Sequence, residues 1–207
     1  MTGIDHIAFA SFDVEEGVAL VEALTGVRAA PGGPHRGIGT HNAMLSLGDD
    51  TYLEIIGKDP NQPEPKHPRP FGLDAASTPR LSSFAIHPGA GETIDDVAAV
   101  LRDAGYDQGP VQSMSRVKPD GEEIHWRLTL ASSPGLIPFI IEWGDTPNPA
   151  TVTPTGCTLV TLGGTHPDPE PVRSVHSALG LPTEIVEGPD TKITLVLDTP
   201  KGRVELS

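Results

Sequence analysis

Ile4-Asp5-His6-Ile7-Ala8-Phe9-Ala10 forms an apolar run near the start of the chain, with the length and composition of a β-strand. Similar runs return at residues 81–87 and 157–162, and each is followed by an amphipathic segment of helical spacing. A glycine stands at nearly the same distance after each run, at Gly26, Gly105 and Gly180. This internal repetition predicts three related strand-helix units.

Capping residues mark the start of each predicted helix. Asp13 followed by Glu16, and Thr93 followed by Asp96, match an N-cap with an acidic third residue. Asp168 precedes a proline, which is favoured at the first position of a helix. The glycines that follow fit left-handed C-terminal caps. We therefore predict helices that begin after Asp13, Thr93 and Asp168.

Each unit ends in a strand that holds one carboxylate among apolar residues. Two other strands lie between the helix and this last strand, at 27–30 and 41–47 in the first unit and at 111–117 and 123–131 in the second. Each unit therefore reads β-α-β-β-β, and the fold class is α+β. The three carboxylate-bearing strands are Tyr52-Leu53-Glu54-Ile55-Ile56, Phe139-Ile140-Ile141-Glu142-Trp143 and Arg203-Val204-Glu205-Leu206.

The units are too small to bury a sheet alone, so we expect them to pair. Residues 1–149 are predicted to form one domain from two units, 1–57 and 81–144, which the proline-rich loop 58–80 joins. Residues 150–207 are predicted to form a third, shorter unit packed on that domain.

Composition argues against several partner classes. The chain has 207 residues and a formal net charge of −14, which disfavours nucleic acids and anionic membrane surfaces. Cys157 is the only cysteine, so an intrachain disulfide and a cysteine-based zinc cluster are excluded. The N-terminal residues lack the basic and apolar regions of a signal peptide. We therefore expect a bacterial-type cytoplasmic protein.

Two stretches of the first unit, Asp5-His6-Ile7-Ala8 and Tyr52-Leu53-Glu54-Ile55, resemble the vicinal oxygen chelate superfamily of glyoxalases, bleomycin resistance proteins and dioxygenases. Residues 31–43 are similar to its glyoxalase-like branch. The resemblance implies that two units form a cupped mixed sheet around a divalent metal. It implies His6, Glu54 and Glu142 as metal ligands, and it places Ser83 where the family often has a fourth ligand.

The chemistry of these three residues is compatible with such a site. Glu54 lies in a strand between apolar neighbours, and a buried carboxylate needs a cation, a proton or hydrogen-bond donors. One imidazole and two carboxylates would make an open site for Mn, Fe, Co, Ni or Zn. Either carboxylate, Glu54 or Glu142, could instead act as a general base. The alternative is that each pairs with an arginine or lysine or faces water.

Further candidates surround this set. The glycine-rich segment 31–42 leads into a strand that begins with His41, a candidate catalytic residue, and Asn42, a candidate binding residue. The segment matches no nucleotide-binding loop, so no nucleotide cofactor is expected. The alternative for it is a turn with solvated histidines. The second unit adds three substrate-binding candidates, His125, Trp126 and Trp143.

Two functions from different classes follow. The first is a metal-assisted enzyme of glyoxalase, lyase or dioxygenase type that acts on a small oxygen-rich substrate. The second is a metal-free protein that binds or sequesters a small molecule in the aromatic part of the cup. Paired sheets of this kind commonly associate, so a homodimer is among the expected states.

Overall fold

The computed structural model describes residues 2–48, 50–75, 78–117, 121–129 and 135–207. Within these ranges the elements follow the predicted order. None of the helices described there is both long and apolar enough to cross a membrane. The helices are α1 (Val14–Thr25), α2 (Ile94–Asp103) and α3 (Pro169–Ala178). The strands are β1 (Gly3–Ala10), β2 (Ala30–His35), β3 (Thr40–Ser46), β4 (Tyr52–Lys58), β5 (Arg80–His87), β6 (Val111–Val117), β7 (Glu123–Thr129), β8 (Phe139–Glu142), β9 (Thr158–His166), β10 (Glu184–Glu187), β11 (Lys192–Thr199) and β12 (Gly202–Leu206).

Two of the three helix starts have the side-chain caps that the sequence predicts. Asp13 accepts hydrogen bonds from the backbone amides of Glu15 and Glu16, and Gly26 ends α1 with a φ of 81°. Thr93 and Asp96 form a reciprocal capping box at the start of α2. Asp168 makes no side-chain cap bond, so α3 begins on its proline alone.

The first two units form one eight-stranded mixed sheet in the order β2-β3-β4-β1-β5-β8-β7-β6. The antiparallel pair β1 and β5 lies at its centre. Within each unit the first strand pairs in parallel with the last, β1 with β4 and β5 with β8. Read outward from the centre of the sheet, the two units therefore have the same strand order. The predicted α+β fold with a cupped sheet is confirmed.

The two faces of this sheet contact different parts of the protein. One face carries the helices over a continuous apolar core that also takes in α3 and the third unit, with Ile7, Phe84, Leu101, Val175 and Leu195 among its members. The opposite, concave face carries a second, smaller apolar cluster with Ala8, Phe139 and Trp126. Because side chains alternate along a strand, one register decides which residues face the cup.

The third unit repeats the element order but not the strand pairing. Its sheet runs β10-β9-β11-β12, so its first strand lies between β10 and β11 and does not pair with its last. Glycines permit this arrangement: a Cβ on Gly163 would lie 2.4 Å from the Glu184 carbonyl oxygen, and one on Gly164 would lie 2.1 Å from that of Lys192. The cup is therefore built by the first two units alone.

Two predicted elements of the first two units differ from the structure. The strand expected at 27–30 is absent, and β2 instead occupies Ala30–His35, inside the segment taken as a loop. Pro31 and Pro34 are compatible with β2 because it is an edge strand that pairs only with β3. The predicted strand 123–131 ends at Thr129, and residues 130 and 131 lie outside the described ranges.

Candidate active site

A cavity of about 80 Å³ lies inside the cup, between the concave faces of the two units. This volume holds several water molecules or a small ligand. The first unit lines it mainly with polar side chains and the second mainly with apolar ones. The polar side includes His6, His35, Asn42 and Glu54, and the apolar side includes Trp126, Phe139, Ile141 and Trp143.

His6 on β1 is held by its neighbour Asp5. The Nδ1 atom of His6 lies 2.7 Å from Asp5 Oδ1, and both side chains are buried. The other oxygen of Asp5 accepts hydrogen bonds from Trp143 Nε1 at 3.0 Å and Asn148 Nδ2 at 3.1 Å. Burial by itself would lower the pKa of His6, but the hydrogen bond and charge of Asp5 and the charge of Glu54 outweigh it, so the pKa is raised. Asp5 thereby fixes the ring and leaves Nε2 facing the cup.

Glu54 on β4 is buried close to His6. Its Oε1 accepts a 2.6 Å hydrogen bond from Asn42 Nδ2. Its Oε2 lies 3.7 Å from His6 Nε2, and its Oε1 lies 3.9 Å from His35 Nε2. Its neighbours are therefore an amide and two imidazoles, and among the described residues no lysine or arginine forms an ion pair with it.

Arg116 on β6 completes the polar part of the cavity. Its side chain is buried, and Nη1 donates a hydrogen bond to the Gly32 carbonyl of β2, which joins the two outer strands of the sheet. Burial lowers the pKa of Arg116, and the charges of Tyr52 and Glu54 oppose that shift. Sequence reasoning missed this residue. The signal that points to it is strand alternation, which places Arg116 on the same face as Met114, and Met114 lies opposite Trp126 in the β6–β7 ladder.

Glu142 does not join His6 and Glu54, and the prediction that the three lie together needs correction. Its Oε1 accepts from the backbone amide of Ile94 at 3.1 Å, and its Oε2 lies 3.0 Å from Arg127 Nη1. It therefore faces the N-terminus of α2, while its neighbours Ile141 and Trp143 line the cup. Because side chains alternate between the two faces of a strand, a register that differs by one residue from the expected one places the Glu142 carboxylate on the helix face.

The other candidates divide between the two faces in the same way. Asn42, Trp126 and Trp143 line the cup, and the two indole rings lie 5.6 Å apart. His41 lies between Thr40 and Asn42, both of which line the cup, so alternation directs His41 away from it. His125 is exposed on the outer face of β7. The cup does not bring His41 or His125 to Glu54.

Ser83, expected at the fourth ligand position, is fully buried opposite Ala8 of β1. Among the residues that the structure describes, its Oγ has no hydrogen-bond partner. The second unit therefore has a serine hydroxyl at the position where the resemblance implies a fourth ligand.

The proline-rich loop covers one side of the cavity. Arg69 is buried in it and binds the Gly39 carbonyl through Nε at 2.9 Å and Asp74 through Nη1 at 2.6 Å. This anchor precedes the 3₁₀ turn Pro70–Ala75, in which Phe71 reaches the cup and lies 5.6 Å from the Phe139 ring. Phe71 has a φ of 60°, a conformation that costs a non-glycine residue free energy.

Comparison with known proteins assigns the family. A family model described as a glyoxalase-like domain matches residues 4–180. The chain belongs to this family. The resemblance to the vicinal oxygen chelate superfamily is thereby confirmed, and members of that superfamily are often metal-dependent enzymes. No curated protein matches the sequence.

Solved structures resemble this glyoxalase-like protein in fold. A hypothetical protein from Staphylococcus aureus is 15% identical, with 93% of this chain and 88% of that chain covered and a TM-score of 0.66. Methylmalonyl-CoA epimerase from Mycobacterium tuberculosis is 18% identical over 60% of this chain and 77% of that one, with a TM-score of 0.37. The S115T variant of the Streptomyces coelicolor methylmalonyl-CoA epimerase, in complex with 2-nitronate-propionyl-CoA, is 16% identical. The match covers 70% of this chain and 96% of that chain, with a TM-score of 0.41. The Staphylococcus aureus protein shares the fold over most of this chain.

The superfamily implies a divalent metal, and the residues of this cup can be tested against it. His6 Nε2 and His35 Nε2 lie 3.7 and 3.9 Å from different oxygens of Glu54. The third expected ligand, Glu142, lies on the other face, and Arg116 places a cation in the same cavity. Within the described ranges no group of three or more His, Cys, Asp or Glu side chains is arranged for a metal ion. These residues do not fit the expected metal site.

Proposed function

We propose that this protein is a glyoxalase-like enzyme that transfers protons on a small oxygen-rich substrate, with Glu54 as the base and His6 as the acid. The arrangement of Asp5, His6 and Glu54 carries the proposal. A fixed imidazole and a buried carboxylate, 3.7 Å apart, face the same small cavity. General acid–base catalysis needs such a pair within reach of one substrate.

The proposed reaction begins at a carbon next to a carbonyl group. Glu54 takes the proton from that carbon, the C–H electron pair forms a C=C bond to the carbonyl carbon, and His6 gives its Nε2 proton to the carbonyl oxygen. With a 2-hydroxy carbonyl substrate the product of this step is an enediol, which loses the O–H proton of its other oxygen to His6 and receives a proton from Glu54 at the former carbonyl carbon. Both side chains return to their starting states, and the carbonyl group has moved to the neighbouring carbon, so the substrate is isomerised.

The other side chains of the cup support this chemistry. Asp5 holds the His6 ring and stabilises its protonated form. Asn42 donates to Glu54 Oε1, which leaves Oε2 to face the substrate. The apolar wall around Phe139 and Ile141 excludes water and strengthens the electrostatic interactions inside the cavity.

A second candidate function is the binding of a small molecule without turnover. The observation in its favour is the aromatic side of the cup, where Trp126 and Trp143 pack together and Phe71 packs on Phe139. Such a wall binds an apolar ligand without any need for proton transfer.

Hydrogen–deuterium exchange separates the two. Small 2-oxo acids, 2-hydroxy acids and 2-hydroxy aldehydes are incubated with the protein in D₂O, and the carbon next to the carbonyl group is observed by NMR. We expect deuterium to enter at least one of them. Glu54→Gln should slow the exchange by at least about a hundredfold.

Glu142→Gln is the matched control, because it makes the same chemical change outside the cup, and it should keep the exchange. Equal exchange in Glu54→Gln and the unmodified protein would overturn the role of Glu54. A ligand that binds but never exchanges would favour the binding function.

A further inference from the structure

We infer that Arg116 is the anion-binding residue of the cup and takes the carboxylate of a small monocarboxylic ligand. The inference rests on the proposed function only in treating the cup as the ligand site, and it applies whether the ligand is converted or only bound.

The first step is the burial of a charge that has no carboxylate at ion-pair distance among the described residues. Arg116 is 8% exposed and lines the cavity. One of its donors, Nη1, binds the Gly32 carbonyl, and among the described residues no ion pair joins the guanidinium to a carboxylate. A guanidinium has five N–H donors, and a buried charge is costly unless an opposite charge and hydrogen bonds compensate it.

The second step is that the nearby carboxylates are already engaged. Asp5 binds His6, Trp143 and Asn148. Glu54 accepts from Asn42 and faces His6. The charge of Arg116 is therefore available to an incoming anion. This positive site is notable in a chain whose formal net charge is −14.

The third step is the shape of the space around the guanidinium. A Cβ on Gly33 would lie 3.1 Å from Arg116 Nη1. A side chain at this position would therefore crowd the guanidinium, and the glycine allows it to lie beside β2. A planar guanidinium matches the two oxygens of a carboxylate. The cavity of about 80 Å³ favours a small acid, and the aromatic wall around Trp126 and Phe139 would hold the apolar remainder of that acid.

Tryptophan fluorescence gives a direct test. The chain has two tryptophans, Trp126 and Trp143, and both line the cup, so ligand binding should change the emission. The probes are acetate, butyrate and benzoate, each titrated beside its neutral amide. We expect the larger carboxylates to bind at least about tenfold more tightly than their amides.

Variants then assign the preference to one residue. Arg116→Met should weaken binding of the carboxylates about ten- to hundredfold and leave binding of the amides nearly unchanged. Arg116→Lys, which keeps the charge but loses the two parallel donors, should fall between. Arg127→Met is the control, because Arg127 lies on the neighbouring strand and faces outward, where it pairs with Asp95 and Glu142.

The outcomes are distinct. Equal affinity of acid and amide for the unmodified protein would overturn the inference, even if Arg116→Met does not fold. A carboxylate preference that survives in Arg116→Lys and Arg116→Met would also overturn it and leave Arg116 as a link between β2 and β6. Deuterium exchange without a preference for carboxylates would overturn the role of Arg116 but not the proposed catalysis. Carboxylate binding without exchange would overturn only the proposed catalysis.

Discussion

Asp5 and His6 are adjacent in β1, yet their side chains meet through a 2.7 Å contact between Oδ1 and Nδ1. Neighbouring residues of a regular strand point to opposite faces. The pairing of β1 with β5 shifts between Ile4 and His6, and this irregularity accompanies the contact. Asp5 can then bind His6 and, with its other oxygen, Trp143 and Asn148 from the second unit and the segment after it.

Asp5→Asn tests this relationship. The amide cannot accept all three hydrogen bonds or stabilise a charged imidazole, so the free energy of unfolding should fall by about 1.5–3 kcal/mol in denaturant titration. The deuterium-exchange rate at saturating ligand should fall at least about tenfold, while the ligand affinity stays nearly unchanged. The exposed Asp145→Asn is the control. An unchanged exchange rate would show that Asp5 has a structural role only.

His176 predicts a pH dependence of stability. It is buried, its Nε2 lies 2.7 Å from the Leu136 carbonyl oxygen, and its Nδ1 lies 2.5 Å from Thr183 Oγ1. Burial lowers its pKa, although the hydrogen bond to Leu136 opposes the shift. The unfolded chain therefore takes up this proton at a higher pH than the native protein does. Its stabilising contribution is present above the ordinary histidine pKa and is lost as the pH falls through the lowered native value.

Substitution isolates that contribution. His176→Gln should flatten the loss of unfolding free energy between about pH 6.5 and pH 5, measured by urea titration at several pH values. His125→Gln, at an exposed histidine, should leave the profile unchanged. The raised pKa of His6 acts in the opposite direction in every variant, so only the difference between profiles is informative. Identical profiles for both variants would contradict the prediction.

Most strands and the caps of α1 and α2 could be predicted because their signals are local. Asp13, Thr93 and Gly26 lie at their caps, and Glu54 is buried among the apolar neighbours that the sequence shows. Glu142 is different. Phe139–Glu142 is a four-residue strand of nearly uniform apolar character, so its sequence does not reveal which alternate residues face the cup. Its register is set by pairing with β5 and β7, which are distant in sequence.

Arg116 and His35 were missed for a related reason. Arg116 belongs to a strand whose pattern is mostly polar, and His35 to an edge strand rich in glycine and proline. Both enter the cup because the outer strands of the two units approach each other, where Arg116 binds the Gly32 carbonyl. Contacts between the ends of a sheet depend on its curvature, which no local pattern encodes.

Removal of divalent ions tests the metal expectation. Because Glu142 faces Arg127 and the start of α2, His6 and Glu54 lack their third predicted ligand. Treatment with EDTA should therefore leave the exchange rate and the melting temperature unchanged. A loss that Mn, Fe, Co, Ni or Zn restores in the unmodified protein, but not in Glu54→Gln, would instead support the metal-dependent enzyme.

Cys157 should be chemically inert in the native protein. Its side chain is buried, and burial raises the pKa of the thiol, although a hydrogen bond with Thr25 opposes this shift. Thiolates react and thiols do not, so a disulfide reagent should label the native protein at least about a hundredfold more slowly than the denaturant-unfolded protein. Equal labelling rates would show that this part of the third unit opens readily.

Phe71 provides a test of strain in the loop above the cup. Its φ of 60° and ψ of 20° lie in the left-handed region, and its carbonyl is held by Ser82 Oγ at 2.8 Å. Glycine adopts this conformation without a Cβ penalty, whereas alanine retains it. Phe71→Gly should therefore be more stable than Phe71→Ala by about 1 kcal/mol in denaturant titration, the reverse of the order found in regular helices and strands. Both lose the ring that packs on Phe139, so both should bind benzoate more weakly than the unmodified protein. If the alanine variant were the more stable, the left-handed conformation would not be the one that the loop adopts in solution.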